Sequence, residues 1–270
     1  MASRKWLWAG GAVVLLALGG LALSRTTQGC LVVNCLPSIQ ACQGDQECAD
    51  WLTCMEGCGD SEMLCPTVCG AFYQAPEINE FITCGLEAEC IEIDFSALPD
   101  CAPPNADRVP VGDIDGFWWV SAIHGHDYVL YDDCQRFVYS TEDELHLSAH
   151  NSTQVTYNGE TRVVDNIGRF TRTADGSLDL VYANWVGYRE QYNPLYATEQ
   201  VMVMHVCSED TTGAVHDYGA LVLTRAPLEE LDAPERAALD ARAQALYGRP
   251  LADFRMIGTQ GCPNGPDAKR

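Results

Sequence analysis

Ten of the chain's fourteen cysteines fall between Cys30 and Cys90, and this density constrains the fold more than any other feature of the sequence. Within it, "CMEGCGDSEMLCPTVC" (residues 54–69) holds two C-x3-C pairs. That spacing sets two thiols one helical turn apart on one face. Two such helices laid antiparallel bring the four sulfurs together as an outer and an inner bridge. The spacing therefore predicts Cys54–Cys69 and Cys58–Cys65, with "GDSEM" as the turn. The C-x-x-C spacing of zinc ribbons and redox motifs is missing around these residues. No metal is expected, because zinc needs thiolates that an oxidising compartment removes. Nesting gives Cys30–Cys48 around Cys35–Cys42 and then Cys84–Cys90, although spacing alone does not fix connectivity.

The compartment follows from the N-terminus. Arg4 and Lys5 precede an uncharged run from Trp6 to Leu23, and "ALS" (Ala22–Ser24) offers small residues for cleavage. Residues 1–24 read as a signal peptide or as an N-terminal anchor, since the run reaches the lower limit for spanning a bilayer. Both readings export the remainder, periplasmic or secreted, where disulfides persist. If retained, the segment also brings the chain against a membrane surface. Sixteen basic residues against thirty-eight acidic ones leave a net charge of −22. Such a surface repels phosphate backbones, so nucleic acid is excluded as a partner. It opposes self-association at neutral pH and relents as carboxylates protonate, which allows an acid-induced homodimer.

Residues 25–101 read as a disulfide-rich helical domain. Its segments "SIQACQGDQECADWLTCMEG", "LCPTVCGAFY" and "INEFITCGLEAEC" are rich in helix formers, with cysteines at helical spacing. Few large aliphatics are present, so bridges must supply much of the stability. Residues 102–112 are Pro-rich and read as a linker. Beyond them come eight short runs rich in Val, Thr and aromatics: "GFWWVSAI", "CQRFVYS", "ELHLSAH", "TQVTYN", "IGRFTRT", "LDLVYANWVGY", "QVMVMHV" and "YGALVLTR". Turn residues such as "TED", "NGE", "ADG" and "YNP" separate them. Residues 113–262 are expected to form an all-β, eight-stranded antiparallel barrel with a packed C-terminal α-helix, followed by a tail over 263–270. A β-sandwich is the alternative. In the helix, Asp232 is the N-cap, Glu235 completes a capping box, and Leu239, Ala243 and Leu246 share the face toward the barrel.

Gly116-Phe117-Trp118 is a G-x-W at the first strand, and "LTR" ends the last strand at Arg225. Together with the cysteine ladder, "DIDGFWW", "DDCQRF", "GALVLTR", and "GRPLADF" leading to "TQGC", these motifs resemble the violaxanthin de-epoxidase family. That family joins a disulfide-rich helical domain to a lipocalin-like barrel. The resemblance implies an indole floor at Trp118 crossed by Arg225, and a Cys134–Cys262 bridge. Cys101 and Cys207 have no family counterpart; they pair with each other, or one closes the linker elsewhere.

The resemblance implies reductive removal of an epoxide from a carotenoid, with ascorbate as reductant and activation by acid. That chemistry needs an apolar trough, an acid for the epoxide oxygen and a base for a ring proton. The family's acid and base are replaced here. Ala183 stands where the family has an aspartate, with Asn184 beside it, and Leu223 stands where it has a tyrosine. Arg169 falls where the family has a pocket glutamine, and His205 where it has a tyrosine. Trp118, Gln135, Asn184 and Leu223 are therefore the pocket candidates. Asp133, Asp179 and His205 are the candidates for a displaced acid or base. Asp179 lies four residues before Ala183, and His205 titrates near neutrality. Asp113, Asp133 and Asp217 match pH-sensing carboxylates, although Asp113 also reads as a cap and Asp217 as a turn residue. Two functions follow: an exported enzyme acting on an epoxy-carotenoid, or a non-catalytic lipocalin-type carrier of an apolar ligand such as a xanthophyll. An acidic, disulfide-rich interaction protein is a third.

Overall fold

Cysteines at helical spacing do form helices. The computed structural model describes residues 27–58, 64–106, 109–125, 133–183, 186–259 and 262, the side chains of 64–67 excepted. The signal peptide or anchor expected over residues 1–24 falls outside the described residues. The helices of the first domain are α1 (Thr27–Asn34), α2 (Leu36–Gly44), α3 (Gln46–Gly57), α4 (Leu64–Phe72) and α5 (Pro76–Glu87). The first of the three expected helical segments breaks in two at Asp45. That residue is extended, and its carboxylate caps α3 by accepting from Cys48 N at 2.9 Å. Ile39, Trp51, Ile78 and Phe81 form the small core, with the Trp51 and Phe81 rings edge to face at 5.7 Å.

The bridges correct the nested pairing. Sulfur bonds join Cys30 to Cys90, Cys35 to Cys84, Cys42 to Cys48 and Cys54 to Cys69. The expected Cys30–Cys48, Cys35–Cys42 and Cys84–Cys90 pairs do not form. The reason is tertiary: α1 and α2 both pack on α5, which places Cys35 beside Cys84 within that helix and Cys30 beside Cys90 just past its C-terminal end. The break at Asp45 then leaves Cys42 facing Cys48 across the bend. Cys58 is disulfide-bonded, and the expected Cys58–Cys65 pair falls on a side chain outside the described residues.

The second part is a closed eight-stranded antiparallel barrel. Its strands are β1 (Gly116–His124), β2 (Arg136–Thr141), β3 (His146–Tyr157), β4 (Glu160–Arg172), β5 (Leu178–Tyr182), β6 (Arg189–Ala197), β7 (Val201–Glu209) and β8 (Val215–Thr224). They pair in sequence order, and β1 closes the ring by pairing with both β2 and β8. A short β9 (Arg255–Met256) adds to the second half of β1.

Two strand expectations shift. "ELHLSAH" and "TQVTYN" belong to one strand, β3, because His150, Asn151 and Ser152 continue the ladder without a turn. "YNP" is not a turn but lies inside β6. Pro194 is accommodated next to a register shift between Pro194 and Tyr196. "NGE" is a turn as expected. Asn158 and Gly159 both take positive φ, 49° and 80°, as a two-residue hairpin of that hand requires.

Helix α6 (Ala233–Tyr247) runs from its Asp232 cap to Gly248 and lays Leu239 and Ala243 on Val201, Val203 and Val222, outside the barrel. The stretch between the two parts is not a bare linker. Phe95, Leu98, Val109 and Val111 are buried in the barrel core. Cys101 is bonded to Cys207 on β7, and Cys134 to Cys262. Among the described residues, no helix is long and apolar enough to cross a membrane.

The helical domain sits on an extension of the β3–β4 hairpin. Ala71 and Phe72 pack on Val155 and Val164. The Arg162 guanidinium lies over the Phe72 ring at 4.2 Å.

Candidate functional site

A strand buries alternate side chains, so each barrel strand offers a fixed row of inward positions. At the closed end, Trp118 is fully buried and donates from Nε1 to Ile114 O at 2.6 Å. The Arg225 guanidinium carbon lies 3.5 Å from the centroid of the indole. Its nitrogens donate to Phe117 O (2.8 Å) and Asp115 O (2.7 Å). Desolvation lowers the Arg225 pKa, partly offset by the Asp115 charge. This is the indole floor implied at Trp118. Leu223 is inward and fully buried just above it.

Above the floor lies an aromatic layer: Phe137, Tyr139, Phe170 and Tyr192, with Phe170 and Tyr192 edge to face at 5.1 Å. Burial, and then the charge of Glu190, push the Tyr139 phenol well above 10. One inward step further toward the mouth, the lining turns polar. Gln135 precedes Phe137 by two residues, and Glu190 precedes Tyr192 by two. Asn151 pairs across the sheet with both Phe137 and Asn166.

Glu190 is the centre of this layer. It is 3% exposed. Its Oε2 accepts from Tyr182 OH at 2.6 Å and Tyr192 OH at 3.0 Å, and its Oε1 from Tyr188 OH at 3.4 Å. Among the described residues the other buried carboxylate is Asp210, and that one is committed to its own turn. Asp210 accepts from Thr212 Oγ1, from Ala214 N and from His216 Nε2. The Thr212 hydroxyl, ahead of His216 and the backbone, holds its pKa at about 2. Gln135 is fully buried, and neither end of its amide has a hydrogen-bond partner among the described residues. The Asn151 amide oxygen is likewise unpartnered among them.

The helical domain roofs this layer. Gln74 donates from Nε2 to Asn166 Oδ1 at 3.1 Å. Between roof and barrel is a cavity of about 450 Å³, lined by Trp51, Ile78, Ile82 and Ile93 on one side and Val186 and Tyr188 on the other. Tyr188 thus belongs both to the apolar cavity and to the Glu190 cluster. A larger groove of about 810 Å³ lies outside the barrel, between α6 and β9. It is remote from the polar layer.

The candidate acids are elsewhere. Asp179 is exposed on the outer wall beside Gln191, because Leu178 and Leu180 take the inward positions of β5. Asp133 is exposed and accepts from Gly258 N at 2.7 Å, clamping the C-terminal segment. Arg169 also points outward, paired with Glu142 at 3.0 Å. Asp113 is exposed in a short 3-10 turn ahead of β1. Asn184 lies outside the described residues. Glu190 and its tyrosines were not singled out from the sequence. Their signal was the parity of Glu190, Tyr192 and Pro194, readable only once β6 is known to run through the proline.

His205 also faces outward, yet it is buried beneath α6. Its Nδ1 is 3.5 Å from Tyr247 OH and its Nε2 3.5 Å from Asp217 Oδ2. Asp217 lies within β8, not in a turn. Cys101, His205 and Cys207 cluster closely, but the two sulfurs are bonded to each other and offer no thiolate. Burial lowers the His205 pKa below 6.5; Asp217 opposes the shift and His124 adds to it. A histidine held neutral in the fold contributes stability that is complete above its unfolded value. That stability drains as pH falls from there toward the folded value. Urea unfolding should therefore show wild type losing more stability than His205→Asn between about pH 7.5 and 5.5. Equal losses would mean that His205 titrates as if free.

Residues 27–235 match the VDE lipocalin domain profile. No curated protein sequence matches the chain. Among solved structures, lobster apocrustacyanin A1 is similar at 16% identity and a TM-score of 0.46, over 60% of this chain and 91% of that one. Apocrustacyanin C1 is similar at 16% identity and a TM-score of 0.47, over 63% and 96%. An odorant-binding protein is similar at 19% identity and a TM-score of 0.38, over 56% and 94%. The matched residues run from the first bridged helix through all eight barrel strands into α6, and the chain belongs to the VDE lipocalin domain family.

Proposed function

We propose that the chain takes a long apolar molecule with an oxygenated end ring, an epoxy-carotenoid, and removes the epoxide oxygen reductively. The balance requires two protons and two electrons. The oxygen leaves as water, a carbon–carbon double bond replaces the epoxide, and ascorbate becomes dehydroascorbate. The observation that carries this reading is the Gln135 amide, buried in the barrel with no partner among the described residues. An unpaired amide in an apolar interior costs several kcal/mol unless something fills its hydrogen bonds. Family membership supports an epoxy-carotenoid as the substrate class, and the disulfides suit an oxidising compartment outside the cytoplasm.

A second reading, an apolar-ligand carrier without turnover, is favoured by two residues. Ala183 is exposed at the end of β5, and Leu223 is part of the apolar core. The two readings separate in one assay. Violaxanthin is incubated with oxidised protein and ascorbate at about pH 5, where carboxylates begin to protonate, and the pigments are resolved by chromatography. De-epoxidised products establish the enzyme. Unchanged pigment that co-elutes with the protein establishes the carrier.

A further inference from the structure

We propose that the cavity between the helical domain and the barrel mouth is the binding site of the ligand's polyene. In this site the oxygen function at the ligand's end is received by Glu190. Three observations converge. The first is that the cavity is lined largely by apolar side chains from both parts of the chain, with Gln74, Asn79, Glu92 and Asp94 as its polar members, so neither part alone encloses it. Apolar cavities of roughly 300–1,000 Å³ with a few convergent polar groups are the usual form of a small-molecule site.

The second is its inner wall. Tyr188 lines the cavity and reaches Glu190 and Ser208 Oγ, each at 3.4 Å. These distances are long beside the 2.6 Å bond from Tyr182 to Glu190. Tyr188 therefore stands where a small rotation would connect the cavity to the carboxylate. The third is the layer itself. Glu190 and Gln135 occupy equivalent inward positions above Tyr192 and Phe137, whose rings are 6.4 Å apart. A carboxyl with tyrosine donors behind it, and a buried amide with no partner among the described residues, suit a hydroxyl or epoxide oxygen. A hydrocarbon end would leave the Gln135 amide without a hydrogen-bond partner.

The site deepens the apolar-ligand reading above and rests on it, but not on turnover. It also supplies a carboxyl inside the barrel, where Asp133 and Asp179 do not reach. The test is equilibrium binding of violaxanthin and of β-carotene, which has the polyene without the oxygens, in detergent micelles. The readout is quenching of protein fluorescence together with induced circular dichroism of the polyene. Ile78→Trp, which fills the cavity, should weaken both pigments at least about tenfold. Glu190→Gln should weaken violaxanthin about tenfold and leave β-carotene unchanged. Tyr188→Phe provides a second probe of the inner wall should Glu190→Gln not fold; it too should weaken violaxanthin selectively. Wild-type binding that none of these variants alters overturns the proposal, and so does absence of binding. Binding at this site with no de-epoxidised product removes the reaction and leaves the site standing.

Discussion

Replacing Cys35 and Cys84 together by alanine should destabilise the helical domain by about 4 kcal/mol. The bridge closes a loop of 49 residues, and the chain-entropy estimate for a loop of that length is about 4 kcal/mol. The domain has little else to draw on. Its core is essentially Ile39, Trp51, Ile78 and Phe81 with the cysteines themselves, and small domains of this kind depend on such staples. Cys42–Cys48 spans only 6 residues, so removing it should cost about half as much. Urea unfolding followed by helical circular dichroism measures both. Equal losses from the two pairs would contradict the loop-length argument. The loss also matters to binding, because α3 and α5 supply Trp51, Ile78 and Ile82 to the cavity wall. A loosened domain should bind pigment less tightly even though the barrel is unchanged.

Trp118→Ala should destabilise the barrel by about 3–5 kcal/mol, the range for deleting a fully buried large aromatic. More than packing is lost. The indole gives up its bond to Ile114 O, and Arg225 loses the ring beneath it. The guanidinium would then lie over a cavity, held only by the carbonyls of Phe117 and Asp115. Trp118→Phe keeps the ring and part of the volume, so it should recover more than half of the loss. Thermal unfolding monitored in the near ultraviolet distinguishes the outcomes. A change below about 1 kcal/mol, typical of surface sites, would mean that the indole is not part of the closed end.

The barrel and its floor were legible because they rest on local signals. Alternating apolar runs, G-x-W and a terminal Arg each constrain a few neighbouring residues. Capping chemistry at Asp232 and Glu235 placed the start of the last helix for the same reason. The cysteine pairing was less legible, since it depends on which helices pack together, and spacing within one helix carries no information about its neighbours. Residues of the polar layer were the hardest to find. Their identification needs the register of β6, and Pro194 disguised that strand as a turn. Asp179 shows the converse error. Period two does place it on one face with Ala183, but the apolar Leu178 and Leu180 claim the inside, so that face is the outer one.

The β3–β4 hairpin, on which the helical domain rests, has a consequence for how such chambers vary in height. Its two strands pair without interruption from His146 with Thr171 to Tyr157 with Glu160, so the roof is carried on an arm of fixed pleat. Inserting or deleting one residue in each strand would turn Val155 and Val164 away from Phe72. Only changes of two residues per strand preserve the contact, and each raises or lowers the roof by about 6.8 Å. Across relatives built on this plan, the length of ligand admitted would therefore change in steps rather than continuously, with the arm as the ruler.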